Sequence, residues 1–308
     1  MIYPSRVKIV EVAPRDGLQA ESTAVSVNSR IQFVDLLSDA GFKTIEVGSF
    51  VSPKWVPQMV DSDKVYQGII KKEGVNYSVL VPNFKGYETA LENKVNSIAV
   101  FTAASETFCQ KNINSPLKEN LENFGTFVPD AKKNGLRVRG YISCAIACPY
   151  EGFILPKKVH EVALELFSMG CDEISLGDTI GVGTPQQVRE LLQGIPIPLD
   201  KVAVHFHDTY GQGIANIYAA LLEGVSIIDS SASGLGGCPY APGASGNVAT
   251  EDVSYLLEGL GIETGVDLSK LLKASLFIDD VLEKETSSKA SKALRINKIN
   301  FHRSYFEK

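Results

Sequence analysis

One phrase recurs eight times along the chain: a short run rich in β-branched residues that ends in polar side chains, then a segment with helical spacing. The runs are Val7–Val12, Thr44–Phe50, Tyr77–Val81, Ser97–Thr102, Arg137–Ser143, Glu173–Gly177, Val202–His207 and Ile227–Ser231. Between them, apolar residues such as Val159, Val162, Ala163 and Leu166 fall on one helical face. Gly41, Gly135, Gly170 and Gly224 stand where C-cap glycines close such helices. Eight strand-then-helix units without a long linker predict an α/β fold, a (β/α)8 or TIM barrel of about 250 residues. No GxGxxG follows the first run, which argues against a dinucleotide-binding doubly wound sheet. We expect one catalytic domain over 1–308, with the barrel core at about 7–260 and a helical extension at about 261–308.

Composition excludes several function classes. A net charge of -6 supplies no basic field for nucleic acid or for an anionic membrane, so an anionic ligand must be held locally. Five scattered cysteines, an odd number, form no disulfide framework and suit a reducing compartment. No apolar run approaches the roughly 20 residues of a membrane span. The first run starts too near Met1 to leave room for a leader, and a cytoplasmic location is expected.

A barrel places every strand's carboxyl end on one face, where the loops that carry chemistry gather. In this chain those ends carry Arg15-Asp16-Gly17, Glu46, Gly177-Asp178-Thr179, the pair His205 and His207, and the loop Gly234–Gly246. His205 and His207 alternate with Val204 and Phe206, so both imidazoles point the same way, about 6 to 7 Å apart along the strand. They can share a metal ion, or be a hydrogen-bonded core histidine beside a loop histidine. Asp16 is a turn residue before Gly17 or, beside such a pair, a hard oxygen ligand. Arg15 at the mouth is a surface charge or a fixed cation for an anionic substrate, and Glu46 is best read as its salt-bridge partner. Asp178 has a weak case as a helix cap, because Gly181 and Gly183 put the helix start near Thr184-Pro185. Asn247, ahead of Val248-Ala249-Thr250, reads most simply as an N-cap. The loop Gly234–Gly246 holds five glycines and two prolines around Cys238. Such a stretch is a tight cradle or a mobile lid, and its thiol a plausible acid or base. Cys144, Cys148 and Cys171 fit buried packing; the Cys144-x3-Cys148 spacing has no second ligand pair to make a zinc site.

Several long phrases carry a resemblance. Val7–Gln19 (VKIVEVAPRDGLQ), Ser49–Met59, Ser175–Pro185, His205–Gln212 (HFHDTYGQ) and Gly234–Val253 resemble the 3-hydroxy-3-methylglutaryl-CoA lyases, from about Val7 to Lys289. The resemblance implies a TIM barrel with a divalent cation, Mg²⁺ or Mn²⁺, bound by Asp16, His205, His207 and Asn247. It also implies that Arg15, Glu46, Asp178, Cys238 and Glu251 act at or beside the reaction, and it replaces the N-cap reading of Asn247. The expected activity is retro-Claisen cleavage of 3-hydroxy-3-methylglutaryl-CoA to acetoacetate and acetyl-CoA, a step of leucine degradation and ketone-body metabolism. The base would be Asp178, or His205 in a relay, while Arg15 would stabilise the enolate oxygen. For the CoA, Lys111 and Asn112 lead to Ser115-Pro116, read as N-cap and first helical residue, so a positive helix end adds to the Lys111 charge. The partner expected is a small acyl-CoA, and the assembly a homo-oligomer, most simply a dimer. Two departures stand out: Pro242 replaces an expected Gln, and no cysteine follows Cys238. Condensing enzymes of the isopropylmalate or homocitrate synthase type share the Arg-Asp-Gly and HxH phrases, but usually place Glu where this chain has Leu18. A catalytically silent barrel that binds acyl-CoA or a metal is the third reading.

Overall fold

A computed structural model describes residues 3–237 and 246–297. Eight parallel strands form a closed barrel: β1 (Lys8–Glu11), β2 (Thr44–Ser49), β3 (Asn76–Leu80), β4 (Ser97–Ala103), β5 (Arg137–Ser143), β6 (Glu173–Asp178), β7 (Val202–Phe206) and β8 (Ile227–Ser230). Each strand pairs with its neighbours in sequence, and β1 closes the barrel on β8 in a register running from Lys8–Ile227 to Glu11–Ser230. Every strand limit lies within one residue of the expected run.

The strands are followed by α1 (Val27–Asp39), α2 (Ser62–Gly68), α3 (Phe84–Glu92), α4 (Leu117–Lys133), α5 (Pro156–Met169), α6 (Pro185–Leu192), α7 (Gly213–Leu222) and α8 (Thr250–Gly259). Two further helices, α9 (Leu268–Leu282) and α10 (Lys289–Asn297), extend the chain; α9 packs on α1 and on the turn Ala232–Gly234. Helices α1 and α3 are capped by residue types that favour the position: Ser26 Oγ accepts from Ser29 N at 3.1 Å and Asn83 Oδ1 from Gly86 N at 3.1 Å. Among the described residues, no helix is long and apolar enough to cross a membrane.

Strand alternation divides the side chains between two spaces. In β7, Val202, Val204 and Phe206 enter the large core under the helices, while Ala203 joins a small interior cluster with Val10, Val12 and Ile227. His205, in step with Ala203, therefore faces inward, and His207 follows it toward the mouth. The interior holds more than the aliphatic layers such barrels ordinarily stack. Glu46, Arg139, Glu173, Ser175 and Asp229 are all buried there. Arg139 on β5 reaches Asp229 on β8 at 2.6 Å, and Lys8 on β1 pairs with Glu173 on β6. Neither pair joins adjacent strands, so both ion pairs cross the barrel.

Gly41, Gly135, Gly170 and Gly224 all adopt positive φ, as C-cap glycines should. Their surroundings differ. A Cβ on Gly41 would lie 2.4 Å from Gly265 O, whereas one on Gly135 would meet nothing within 4 Å. Gly135→Ala should therefore cost only the left-handed backbone, about 1–2 kcal/mol. Gly41→Ala should cost about 1–3 kcal/mol more, because backbone must move. Urea midpoints of the two variants measure the difference; equal midpoints would remove the packing account of Gly41.

Candidate active site

Strand β1 ends at the mouth in a single π-helical turn, Ala13–Gly17, whose Arg15, Asp16 and Gly17 N–H groups all approach Val12 O, at 3.1, 2.8 and 3.2 Å. Such turns re-aim side chains and are frequent at functional sites. Gly17 is required: a Cβ there would lie 2.9 Å from both Leu235 Cβ and Ser231 Oγ. The turn sends Arg15 and Asp16 into the same corner. Arg15 donates through Nε to Glu46 Oε2 and through Nη1 to Asp16 Oδ1, each at 2.5 Å, and its guanidinium lies 5.6 Å from the Tyr141 ring centre. Burial works against the Arg15 charge, but the two carboxylates raise its pKa above the usual value and keep it cationic.

Asp16, His205 and His207 converge. One potential ligand atom from each lies within 4.8 Å of the others, and among the described residues no other His, Cys, Asp or Glu cluster does so. His205 Nδ1 faces Asp229 Oδ2 at 3.3 Å, leaving Nε2 toward Asp16 Oδ2 at 3.8 Å. The His207 ring is bound to the Thr179 backbone, and its buried Nδ1 has no hydrogen-bond partner. Desolvation, reinforced by His205, lowers the His207 pKa to about 4, so this imidazole is neutral and able to ligate. Burial alone would raise the Asp16 carboxyl, but Arg15, His205 and His207 hold it ionised. A carboxylate, a neutral imidazole and an orphaned ring nitrogen suit a divalent cation.

Asn247 lies beside this cluster. Its Nδ2 donates to Asp16 Oδ2 at 2.7 Å and to Leu235 O at 3.2 Å. Helix α8 starts at Thr250 with Ala249 in the cap position, two residues later than an N-cap at Asn247 requires. Asp178 ends β6, fully buried. Its Oδ2 accepts from Gly183 N at 2.8 Å, so it does cap a turn, but the turn before α6 rather than the helix itself. The helix begins at Pro185, as expected, with Gln187 Oε1 accepting from Thr184 N at 3.0 Å. Asp178 Oδ1 is buried without a partner, and desolvation raises this carboxyl's pKa despite the loop N–H groups.

Other expected residues lie apart from this corner or outside the described residues. Glu251 is buried, with both oxygens accepting from Ser233 N (3.0 and 3.1 Å) and one also from Ser275 Oγ. Desolvation raises its pKa to about 7, and its contacts join α8 to the turn after β8 and to α9. Lys111 and Asn112 sit on a second π-turn, Cys109–Ile113, after β4. Lys111 Nζ is exposed, 4.3 Å from the Tyr150 ring centre, and Asn112 Nδ2 donates to Phe108 O at 3.2 Å. The helix expected to open at Pro116 opens at Leu117, with Pro116 in the cap position. Its first N–H is taken by Glu106 Oε2 at 3.2 Å, so a carboxylate already occupies part of that positive end. Cys238 lies outside the described residues, as do residues 239–245. Cys144, Cys148 and Cys171 are buried and unpaired, as expected.

Sequence reasoning missed Asp229, Arg139, Tyr141, Glu173 and Ser175. A signal existed. Parallel strands covered on both faces are expected to be continuously apolar, yet Arg139 and Tyr141 alternate with Val138, Gly140 and Ile142, and Glu173 and Ser175 with Ile174 and Leu176.

Comparison with known proteins shows the family. The family model described as HMGL-like matches residues 6–278. The chain belongs to the HMGL-like family. Its relatives include the human mitochondrial hydroxymethylglutaryl-CoA lyase, 56% identical over 94% of this chain and 90% of that protein. A Pseudomonas aeruginosa 3-hydroxy-3-isohexenylglutaryl-CoA/hydroxy-methylglutaryl-CoA lyase is 55% identical over 96% of this chain and 99% of its own length. Among solved structures, an Acinetobacter baumannii HMG-CoA lyase in complex with coenzyme A and 3-methylmalate superposes with a TM-score of 0.91 at 34% identity, covering 96% of this chain and 97% of that one. The match to this HMGL-like barrel therefore spans the strands that carry the corner described above and most of the helical extension.

The geometry separates ligand candidates from supports. Asp16→Asn and His207→Ala should each weaken Mn²⁺ binding by more than the roughly 10–100-fold that losing a supporting group costs. Glu251→Gln should leave it nearly unchanged. Titration of each variant with Mn²⁺, followed by electron paramagnetic resonance of the free ion, checks the split; a loss of binding in Glu251→Gln contradicts it.

Proposed function

We propose that this HMGL-like chain is a hydroxymethylglutaryl-CoA lyase, a carbon–carbon lyase that cleaves 3-hydroxy-3-methylglutaryl-CoA to acetoacetate and acetyl-CoA. The observation that carries the reading is the shared corner of Arg15, Asp16, His205 and His207 at the barrel mouth, a cation beside a metal-ligand set. Asp16, His205, His207 and Asn247 would hold a divalent ion, Mg²⁺ or Mn²⁺, which when bound orients the substrate hydroxyl and lowers its pKa.

The chain's own groups divide the remaining work. Asp178 takes the tertiary hydroxyl proton: its Oδ1 is unpartnered, and a raised pKa makes the carboxylate a stronger base. The electrons of the O–H bond become the ketone π bond of acetoacetate, and those of the broken carbon–carbon bond pass to the thioester as an enolate. Arg15, fixed on both sides by Glu46 and Asp16, meets that developing charge without having to reorganise. Cys238 supplies a proton to the departing carbon, giving acetyl-CoA. Lys111 and Asn112 stand at the rim for the anionic CoA. A cytoplasmic setting accords with four described cysteines, all unpaired.

Release of acetoacetate from 3-hydroxy-3-methylglutaryl-CoA tests the reading, with the isohexenyl homologue offered in parallel. A chelator should abolish turnover, and Mg²⁺ or Mn²⁺ should restore it. Arg15→Met should lower kcat by about 10²–10³, the usual effect of removing one oxyanion-stabilising donor, while Mn²⁺ binding persists. A wild-type rate in that variant removes Arg15 from the mechanism. Free thiol released from acetyl-CoA plus a 2-oxo acid, with no acetoacetate formed, replaces the lyase with a condensing enzyme.

A further inference from the structure

Asp229 lies in the middle of β8, buried, and none of the expected site residues includes it. Three donors converge on its carboxylate: Arg139 Nη2 on Oδ1 at 2.6 Å, and Ser175 Oγ and His205 Nδ1 on Oδ2 at 2.8 and 3.3 Å. Arg139 is in turn oriented by Glu173, whose Oε1 lies 3.3 Å from Arg139 Nε. The donors come from β5, β6 and β7, so the carboxylate is fixed by three other strands of the barrel. Tyr141, edge-on to His205 with ring centres 6.2 Å apart, closes another side of that imidazole.

We propose that Asp229 is a positioning residue that sets the tautomer of His205, holding its proton on Nδ1 so that the Nε2 lone pair is presented to the ion. The inference rests on the reading of Asp16, His205 and His207 as ligands. A carboxylate can only accept, so the ring atom facing it must carry the proton. His207 is arranged the other way, with Nδ1 unpartnered and the ring held from the Thr179 backbone. The two histidines would thus offer different ring nitrogens to one ion, each selected by what the opposite nitrogen bonds.

Asp229→Asn separates shape from hydrogen-bond direction. Arg139 can only donate, so it keeps the amide oxygen on its own side and turns the NH2 toward Ser175 and His205. The hydroxyl of Ser175 can accept instead. His205 Nδ1 must then accept as well, which moves the proton to Nε2 and blocks the lone pair. The variant should bind Mn²⁺ roughly 10–100-fold more weakly, with kcat reduced alongside. Ser175→Ala, which keeps both the carboxylate and its hold on His205, should bind Mn²⁺ nearly as wild type.

The deciding measurement is made on the wild-type protein and depends on no variant folding. In the full chain labelled with ¹⁵N-histidine and loaded with Mg²⁺, only four histidines need assignment. The result expected is His205 with its single proton on Nδ1 and His207 with its single proton on Nε2. A proton on Nε2 of Mg²⁺-loaded His205, or wild-type Mn²⁺ affinity in a folded Asp229→Asn, overturns the role given to Asp229. Failure of the wild-type chain to bind either ion is a different result: it overturns the ligand reading, and this inference with it.

Discussion

A closed barrel leaves no room inside for an unpaired charge. Removing one partner of a buried ion pair costs about 3–5 kcal/mol, because the survivor is left desolvated and alone. This chain meets that constraint with a continuous sequence of pairings. Lys8 and Arg137 share Glu173, Glu173 also holds Arg139, and Arg139 holds Asp229. Asp229 faces His205, His205 faces Asp16, Asp16 binds Arg15, and Arg15 binds Glu46. The series runs from the amino ends of the strands, where Lys8, Arg137 and Glu173 start β1, β5 and β6, to the mouth. Groups at the mouth are therefore oriented from below by charges that cannot relax without exposing a neighbour. Electrostatic preorganisation of this kind favours Arg15 as a stabiliser of developing charge, since its geometry is set before substrate arrives.

The eightfold strand rhythm was legible because period-two alternation and C-cap glycines are local signals, set by covalent geometry and backbone sterics. Gly41, Gly135, Gly170 and Gly224 could be placed from their neighbours alone, and each has the positive φ that its position demands. Residues at strand ends were also legible: Arg15 with its partner Glu46, and the Asp16, His205 and His207 cluster, are where a barrel must put them. The parts that could not be read depend on contacts across the barrel. Nothing near Asp229 in sequence identifies Arg139 as its partner, since the two lie 90 residues apart on strands that do not touch. Cap positions were less secure for the opposite reason, that several short polar residues compete within a few positions. Thus Asn247 looked like a cap, but its amide is drawn to Asp16, and the helix starts later.

The two π-turns show why strand-end motifs alone understate the site. A regular α-helical continuation of β1 would spread Arg15, Asp16 and Gly17 at 100° steps. The wider turn instead brings three successive N–H groups to the Val12 carbonyl and sets Arg15 and Asp16 close enough to bond each other. It is possible only because Gly17 lets the segment after β8 come against it, with Leu235 and Ser231 occupying the space a side chain would take. The geometry of Asp16 is therefore tied to that of residues more than 200 positions later.

That second segment is in turn held by the helical extension. Ser233 adopts a left-handed backbone with φ 60, a conformation costing a non-glycine residue about 1–3 kcal/mol unless its surroundings impose it. Here they do. Its N–H is bound by Glu251, its hydroxyl by Asp279 at 2.5 Å, and its carbonyl by Thr286 and Ser287 at 3.2 and 3.1 Å. Arg295 on α10 holds the other oxygen of Asp279 at 2.7 Å. Two residues beyond Ser233, the Leu235 carbonyl accepts from the amide of Asn247, which also bonds Asp16. Helices α9 and α10 are thus linked to the corner of Asp16, His205 and His207 through a strained turn and two side-chain amide hydrogen bonds, although neither supplies a residue to that corner. Glu251 is one of four side chains that hold this turn, so Gln in its place, which keeps an oxygen toward the Ser233 N–H, is absorbed within the turn and leaves the Asp16, His205 and His207 corner in place.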